Sequence, residues 1–211
     1  MSSPSRILMV IFSLCLLAPR AHADTAGRFD YYLLSLSWSP QFCATEASDD
    51  DPQCGRLYGF VVHGLWPQNE RGYPRDCGRG EYLEDSLIHR MLPVMPSKKL
   101  IIHEWKAHGV CSGLSSRGYF GLVEQVRAKL VIPEVYRTTG LALTRTIPEL
   151  KQEFIAANPG LKPNHMSLQC AGNYLKEVRI CFNRDLQPRA CGSDLRDTCS
   201  KKDSFALRPW R

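Results

Sequence analysis

The sequence predicts an α+β fold: a central antiparallel sheet flanked by several helices, reinforced by disulfides and built as a single domain. Three observations carry this expectation. Strand-like alternation lies towards both ends, helical periodicity fills the middle, and eight cysteines remain once an amino-terminal leader is set aside. The chain has 211 residues, enough to bury a full core in one domain, and no internal repeat or low-complexity linker divides it.

The leader is read first. "ILMVIFSLCLLA", at residues 7–18, is an apolar run behind Arg6 and ahead of "AHA", the pattern of a secretory signal peptide with cleavage expected after Ala23. The expected division is therefore 1–23 signal peptide and 24–211 folded domain, with Cys15 a small hydrophobe in the discarded part. Losing Arg6 and Arg20 takes the formal net charge from +6 to +4. Such mild basicity suits a polyanionic partner without establishing one. No second apolar stretch approaches the ~20 residues of a membrane helix, so no membrane association is expected.

Within the domain, "YYLLSLSW" alternates as a strand, with Tyr32, Leu34, Leu36 and Trp38 on one face and Ser35 and Ser37 on the other. "SPQFCATEASDDDPQC" reads as a surface loop. "YGFVVHGLW" is a second strand, β-branched at its centre, with His63 just before a glycine. Helical patterns are expected over 81–92, 97–108 and 118–129. A further helix begins at a capping box, Thr146 with Glu149, and stops at Asn158-Pro159-Gly160. "YLKEVRICF" is a third strand, Val178, Ile180 and Phe182 inward, Glu177 and Arg179 outward.

Cys43, Cys54, Cys77, Cys111, Cys170, Cys181, Cys191 and Cys199 form an even set, which in an exported chain reads as four disulfides. Paired C-x-x-C knuckles are missing, which disfavours structural zinc. A catalytic metal is disfavoured too. "HEWKAHGVC" resembles the zinc pattern H-E-x-x-H, but His103 and His108 are five residues apart, roughly 140° around a helix at ~100° per residue. A carboxylate and histidines together suggest proton transfer instead, and two histidines can serve as base and acid in one displacement. Trp66 and Tyr73 are candidates to stack on a nucleobase. Trp105 reads as core, while His89 and His165 read as surface or edge residues.

Taken in this order, "FVVHGLWPQ" and "HEWKAHGVC" resemble the two active-site segments of the ribonuclease T-two family. The resemblance extends to "LSLSWSPQFC", "LQCAG" and "EVRICF", and so covers most of the domain. It implies an endoribonuclease that needs no metal and no cofactor. RNA would be its substrate, cut by attack of the ribose 2′-hydroxyl on phosphorus to leave a 2′,3′-cyclic phosphate. It implies His108 as general base, His63 as general acid, His103 as a phosphate contact and Glu104 as a group that helps stabilise the transition state. It also implies the cystines Cys43–Cys54, Cys77–Cys111, Cys170–Cys199 and Cys181–Cys191.

Two departures stand out. The family commonly has lysine just before the second helix histidine; here that position is Ala107, and Lys106 stands one residue earlier. Plant-type members often have glutamine where this chain has Ser37, so base selectivity is not inherited. A monomer is expected. No N-x-S/T sequon occurs, which favours a bacterial periplasm over a eukaryotic secretory route. The rival readings are a catalytically silent RNA-binding or inhibitor-like protein on the same fold and, third, a metallohydrolase.

Overall fold

The structure, a computed structural model, describes residues 24–48, 51–137, 140–200 and 203–210. The leader expectation, Cys15 included, lies outside the described residues. Among the described residues, six strands form one sheet: β1 Tyr31–Trp38, β2 Phe60–Gln68, β3 Leu143–Arg145, β4 Met166–Ala171, β5 Tyr174–Phe182 and β6 Phe205–Leu207. The order is β2-β1-β5-β6-β3, with β4 on the other edge of β5. Pairing is antiparallel except at Tyr174↔Ala206, where β6 runs parallel to β5 beyond the last β1 partner of that strand, Glu177. The sheet is thus mixed at this one junction, and the α+β class stands.

Five α-helices among the described residues surround it: α1 Ser39–Thr45, α2 Asp85–Met91, α3 Lys98–Ala107, α4 Ser116–Lys129 and α5 Ile147–Ala157. The first corrects the loop expected after β1. Its sequence is too polar to show a stripe, and what holds it is tertiary: Gln53 donates to the Ser39 hydroxyl at 2.8 Å, Arg208 donates to the Gln41 side-chain amide oxygen at 2.7 Å, and Cys43 is bonded to Cys54. Helix α2 starts four residues later than expected. The Glu81 carboxylate is used elsewhere, accepting from the Ser116 N–H at 2.7 Å at the start of α4. The capping box of α5 forms as its sequence predicts, Thr146 and Glu149 each bonding the other's backbone N–H.

The sheet has two unlike faces. On one, Leu34, Leu36, Trp38, Val62, Leu65, Val178 and Ile180 join Ile101, Trp105, Phe120, Val123 and Phe154 in the main core. On the other, Tyr31, Leu33 and Cys181 make a smaller cluster with Trp66 and Leu195 packed on it. Both faces of β1 are therefore covered, so Ser35 lies inside, buried opposite Arg179 on β5, and Ser37 is half-buried. The functional side chains stand on this second face, where small serines leave room for them.

A register slip between β1 and β2 puts them there. Ser35 pairs with Gly64 and Leu36 with Val62, so His63 is passed over as the extra residue of a β-bulge. Side chains three apart on a regular strand face opposite ways. The slip turns His63 and Trp66 to the same side, while Val62 before it and Leu65 after it both enter the core.

Candidate active site

The bulged His63 lies between two carboxylates. Its Nδ1 donates to Glu177 Oε1 at 2.8 Å, and its Nε2 is 3.5 Å from Glu104 Oε1. The other oxygen of Glu104 accepts the Trp66 indole N–H at 2.5 Å. Gly64 makes this approach possible, because a Cβ there would strike both the Glu104 carboxylate and the Trp66 nitrogen. Glu104 therefore serves β2, not the His108 one turn further along its helix, and it is 1% exposed.

Helix α3 begins at Ser97, whose side chain accepts from the Leu100 N–H, and ends before His108. His108 is the C-cap, at φ −130°, and a 3₁₀ turn over Gly109–Ser112 follows. The helical angle between His103 and His108 therefore does not apply to the side chains. The His108 ring lies against Trp66, centroids 5.1 Å apart, and 6.4 Å from Tyr73. His103 is exposed on α3, near enough for its charge to act on His108. A cleft of about 380 Å³ is lined by Trp66, Gln68, Tyr73, His108, Arg179 and Asp194, among others.

The two imidazoles are pulled in opposite directions. Burial disfavours the charged form of His63, but the hydrogen bond to Glu177 and the charges of Glu104 and Glu177 outweigh it and raise its pKa. Burial and the positive charges of His103 and His63 take His108 down to about 4. Glu177 is held down at about 2 because the His63 hydrogen bond and Arg179 overcome its burial. Glu104 is pushed up to about 7 by burial, against the pull of His63 and Trp66. In mildly acidic solution the arrangement pairs a charged His63 with a neutral His108.

His63, Glu104, His108 and Trp66 thus converge, with Tyr73 at the rim and His103 on the flank. Trp66 faces the cleft, whereas Trp105 is core, packed near Tyr119 and Phe120 with its N–H donated to the Glu81 carbonyl at 3.0 Å. His89 is exposed; His165, expected at the surface or an edge, is buried just before the edge strand β4, its Nδ1 accepting the Lys162 N–H at 3.2 Å. Glu177 and Arg179, outward-facing strand residues by alternation, lie beside the converging groups, Glu177 bonded to His63 and Arg179 to Glu177. Strand alternation correctly put them opposite the core; what it could not tell is that this second face is covered. Among the described residues, no three His, Cys, Asp or Glu side chains are grouped so as to hold a metal ion.

The cystines are Cys43–Cys54, Cys77–Cys111, Cys170–Cys199 and Cys181–Cys191, the same pairs that the resemblance implies. Cys111 lies in the turn just past His108, so Cys77 tethers that turn to the segment after β2.

A charged imidazole, His63, and a neutral one, His108, flank the Trp66 ring with buried carboxylates behind, an arrangement suited to histidine acid–base chemistry. The family model of the Ribonuclease T2 family matches residues 29–191, and the chain belongs to that family as an endoribonuclease. It is 40% identical over 195 residues to a ribonuclease of Aeromonas hydrophila, covering 88% of each chain. Among solved structures it resembles a point mutant of RNase MC1 in complex with 5′-UMP, at 25% identity, TM-score 0.65, and coverage of 86% of this chain and 98% of that one. An RNase-related protein from Calystegia sepium shares the fold, with TM-score 0.67, 21% identity, and coverage of 87% and 98%.

Proposed function

We propose that this chain is an exported enzyme that cleaves single-stranded RNA by transesterification. His108 takes the proton of the ribose 2′-hydroxyl as that oxygen bonds to phosphorus. His63 gives its Nε2 proton to the 5′-oxygen as the P–O5′ bond breaks. The products are a 2′,3′-cyclic phosphate and a free 5′-hydroxyl. The observation that carries this reading is the unequal surroundings of the two imidazoles: carboxylates on both nitrogens of His63, and an aromatic ring with cationic neighbours at His108.

His103 is the phosphate contact, its ring meeting the non-bridging oxygens at the cleft edge. Glu104 acts through the groups it touches, His63 and Trp66. Trp66 and Tyr73 offer faces to a base beside the scissile phosphate, and stacking of this kind is worth roughly 1–3 kcal/mol per base. Bound 5′-UMP in the MC1 relative supports a nucleotide in such a cleft. Four disulfides and the leader pattern support export, with a periplasm favoured by the missing sequon. The working unit is proposed to be the monomer.

The primary test is digestion of matched RNA and all-deoxy strands in excess chelator, with product ends identified by mass. RNA cut to cyclic phosphates and intact DNA are expected, because the nucleophile is the 2′-hydroxyl. Cleavage of DNA, or strict dependence on a divalent ion, would overturn the mechanism. RNA bound but uncut would favour the silent-protein reading.

The pH profile follows from the two imidazoles. The base works only when neutral, so kcat/KM is expected to rise as pH passes about 4. The acid works only when protonated, so the rate is expected to fall above the ordinary imidazole range, as the raised His63 deprotonates. An initial-rate series on an RNA dinucleotide measures both limbs; a profile that climbs steadily through neutrality would contradict the acid role.

Lys106 is exposed and borders a separate groove with Trp105 and Glu81, away from the His108 cleft. Lys106→Ala is therefore expected to change kcat/KM less than twofold to threefold, within about 0.6 kcal/mol of transition-state binding. Ala107→Lys is expected to raise kcat by adding a cation near the phosphate. A hundredfold loss in Lys106→Ala would mean that its ammonium reaches the substrate after all.

A further inference from the structure

The second face of the sheet holds a connection that the acid–base scheme leaves unused. Glu177 sits on β5 opposite Ser37 of β1 and Gln169 of β4, and is 2% exposed. One of its oxygens accepts from His63 Nδ1 at 2.8 Å. The other accepts from Arg179 twice, from Nε at 2.9 Å and Nη2 at 2.7 Å. The Arg179 guanidinium in turn lies 5.1 Å from the centre of the Trp66 ring, on the wall of the cleft.

From this geometry we infer that Glu177 is a positioning residue: it fixes the His63 ring with its Nδ1 proton turned inward and Nε2 presented for proton donation, while Arg179 holds the carboxylate in place. The inference rests on the acid role given to His63 above.

Three physical points support it. A buried carboxylate is costly, and ion pairs in such places are often replaced by apolar residues without loss of stability, so a structural role alone is a weak reason for it. An imidazole has two nitrogens, and a hydrogen bond to one determines which proton the other carries. A carboxylate behind a catalytic histidine performs this task in other enzymes, by selecting the tautomer and stabilising the imidazolium. The charges facing His63 are Glu177 and Arg179 from β5 and Glu104 from α3, with His108 beyond the end of α3. Of these, Glu177 is the one hydrogen-bonded to the ring within 3 Å.

The test is Glu177→Gln, which preserves shape and removes charge, compared with Glu177→Asp and with His63→Ala. On an RNA dinucleotide Glu177→Gln is expected to lose at least about tenfold in kcat, from the ~10–100-fold seen for carboxylates behind metal-ligating histidines towards the ~10⁴-fold seen behind a catalytic one. Its alkaline limb is expected to move down by about one pH unit or more, because His63 has lost its nearest anion and kept Arg179. Glu177→Asp is expected to keep the limb and recover part of the rate. On a nucleoside 3′-(p-nitrophenyl phosphate), whose leaving group departs without a proton, the loss in Glu177→Gln should shrink. NMR titration of the His63 ring in wild type and Glu177→Gln reads the same change without activity.

If His63→Ala is rescued by the aryl ester while Glu177→Gln keeps both its rate and its alkaline limb, the positioning role is wrong and the acid role survives. If His63→Ala is not rescued, the acid role itself fails, and the NMR titration alone decides whether Glu177 governs the His63 charge. Equal losses on both substrates with an unmoved ring titration would show a structural defect and overturn the inference.

Discussion

His63→Ala and His108→Ala are each expected to lose about 10²–10⁴-fold in kcat/KM on an RNA dinucleotide, and only His63→Ala is expected to recover on an aryl ester. A ribose 5′-alkoxide is strongly basic and leaves slowly without a proton. p-Nitrophenolate needs none, so a missing acid costs little there. The 2′-hydroxyl must be deprotonated in both reactions, so a missing base is felt in both. His103→Ala is expected to be impaired on both substrates, since the phosphoryl oxygens it contacts are common to them. The discriminating quantity is the ratio of kcat/KM values for the two substrates in each variant. Rescue of His108→Ala instead would exchange the acid and base labels, and rescue of neither would remove the paired roles. Surroundings favour the stated order: His63 keeps its proton between two carboxylates, and His108 is driven to about 4.

The largest expected effect on stability comes from the cystine next to His108. Cys77 and Cys111 are 34 residues apart, and closing a loop of that length in the unfolded chain is worth about 3–4 kcal/mol in the chain-entropy treatment. The double variant Cys77→Ala/Cys111→Ala should therefore melt roughly 6–16 °C lower in calorimetry. Its activity should suffer well below that temperature, because the turn following His108 loses its tether to the segment after β2. A change under about 1 kcal/mol would mean that the unfolded chain is already compact in this region.

The sequence was most informative where local chemistry and the fold agree. The Thr146 box marks the start of α5, and Ser97 marks that of α3, each through a side-chain cap that a reader can find. The two histidine segments are legible because a proton-transfer pair needs particular residue types, whatever surrounds them. What stayed hidden depends on contacts distant in sequence. Helix α1 relies on Gln53 and Arg208, which lie outside it. Glu177 looks like an ordinary solvated strand residue until β1 and β2 bring His63 across to it, 114 positions away. Glu104 looks like the partner of His108 by helical spacing, yet the bulge at His63 gives it a different one.

That bulge also explains why "FVVHGLWPQ" shows no clean alternation: two registers meet inside nine residues. A flawless ladder would have sent one of His63 and Trp66 into the hydrocarbon interior and left the other alone in the cleft. Here imperfection in the sheet is what creates the site. Chain length between Val62 and Leu65 is consequently as much a part of the catalyst as any side chain. Natural variation in this enzyme should tolerate a changed residue along β2 more readily than a gained or lost one.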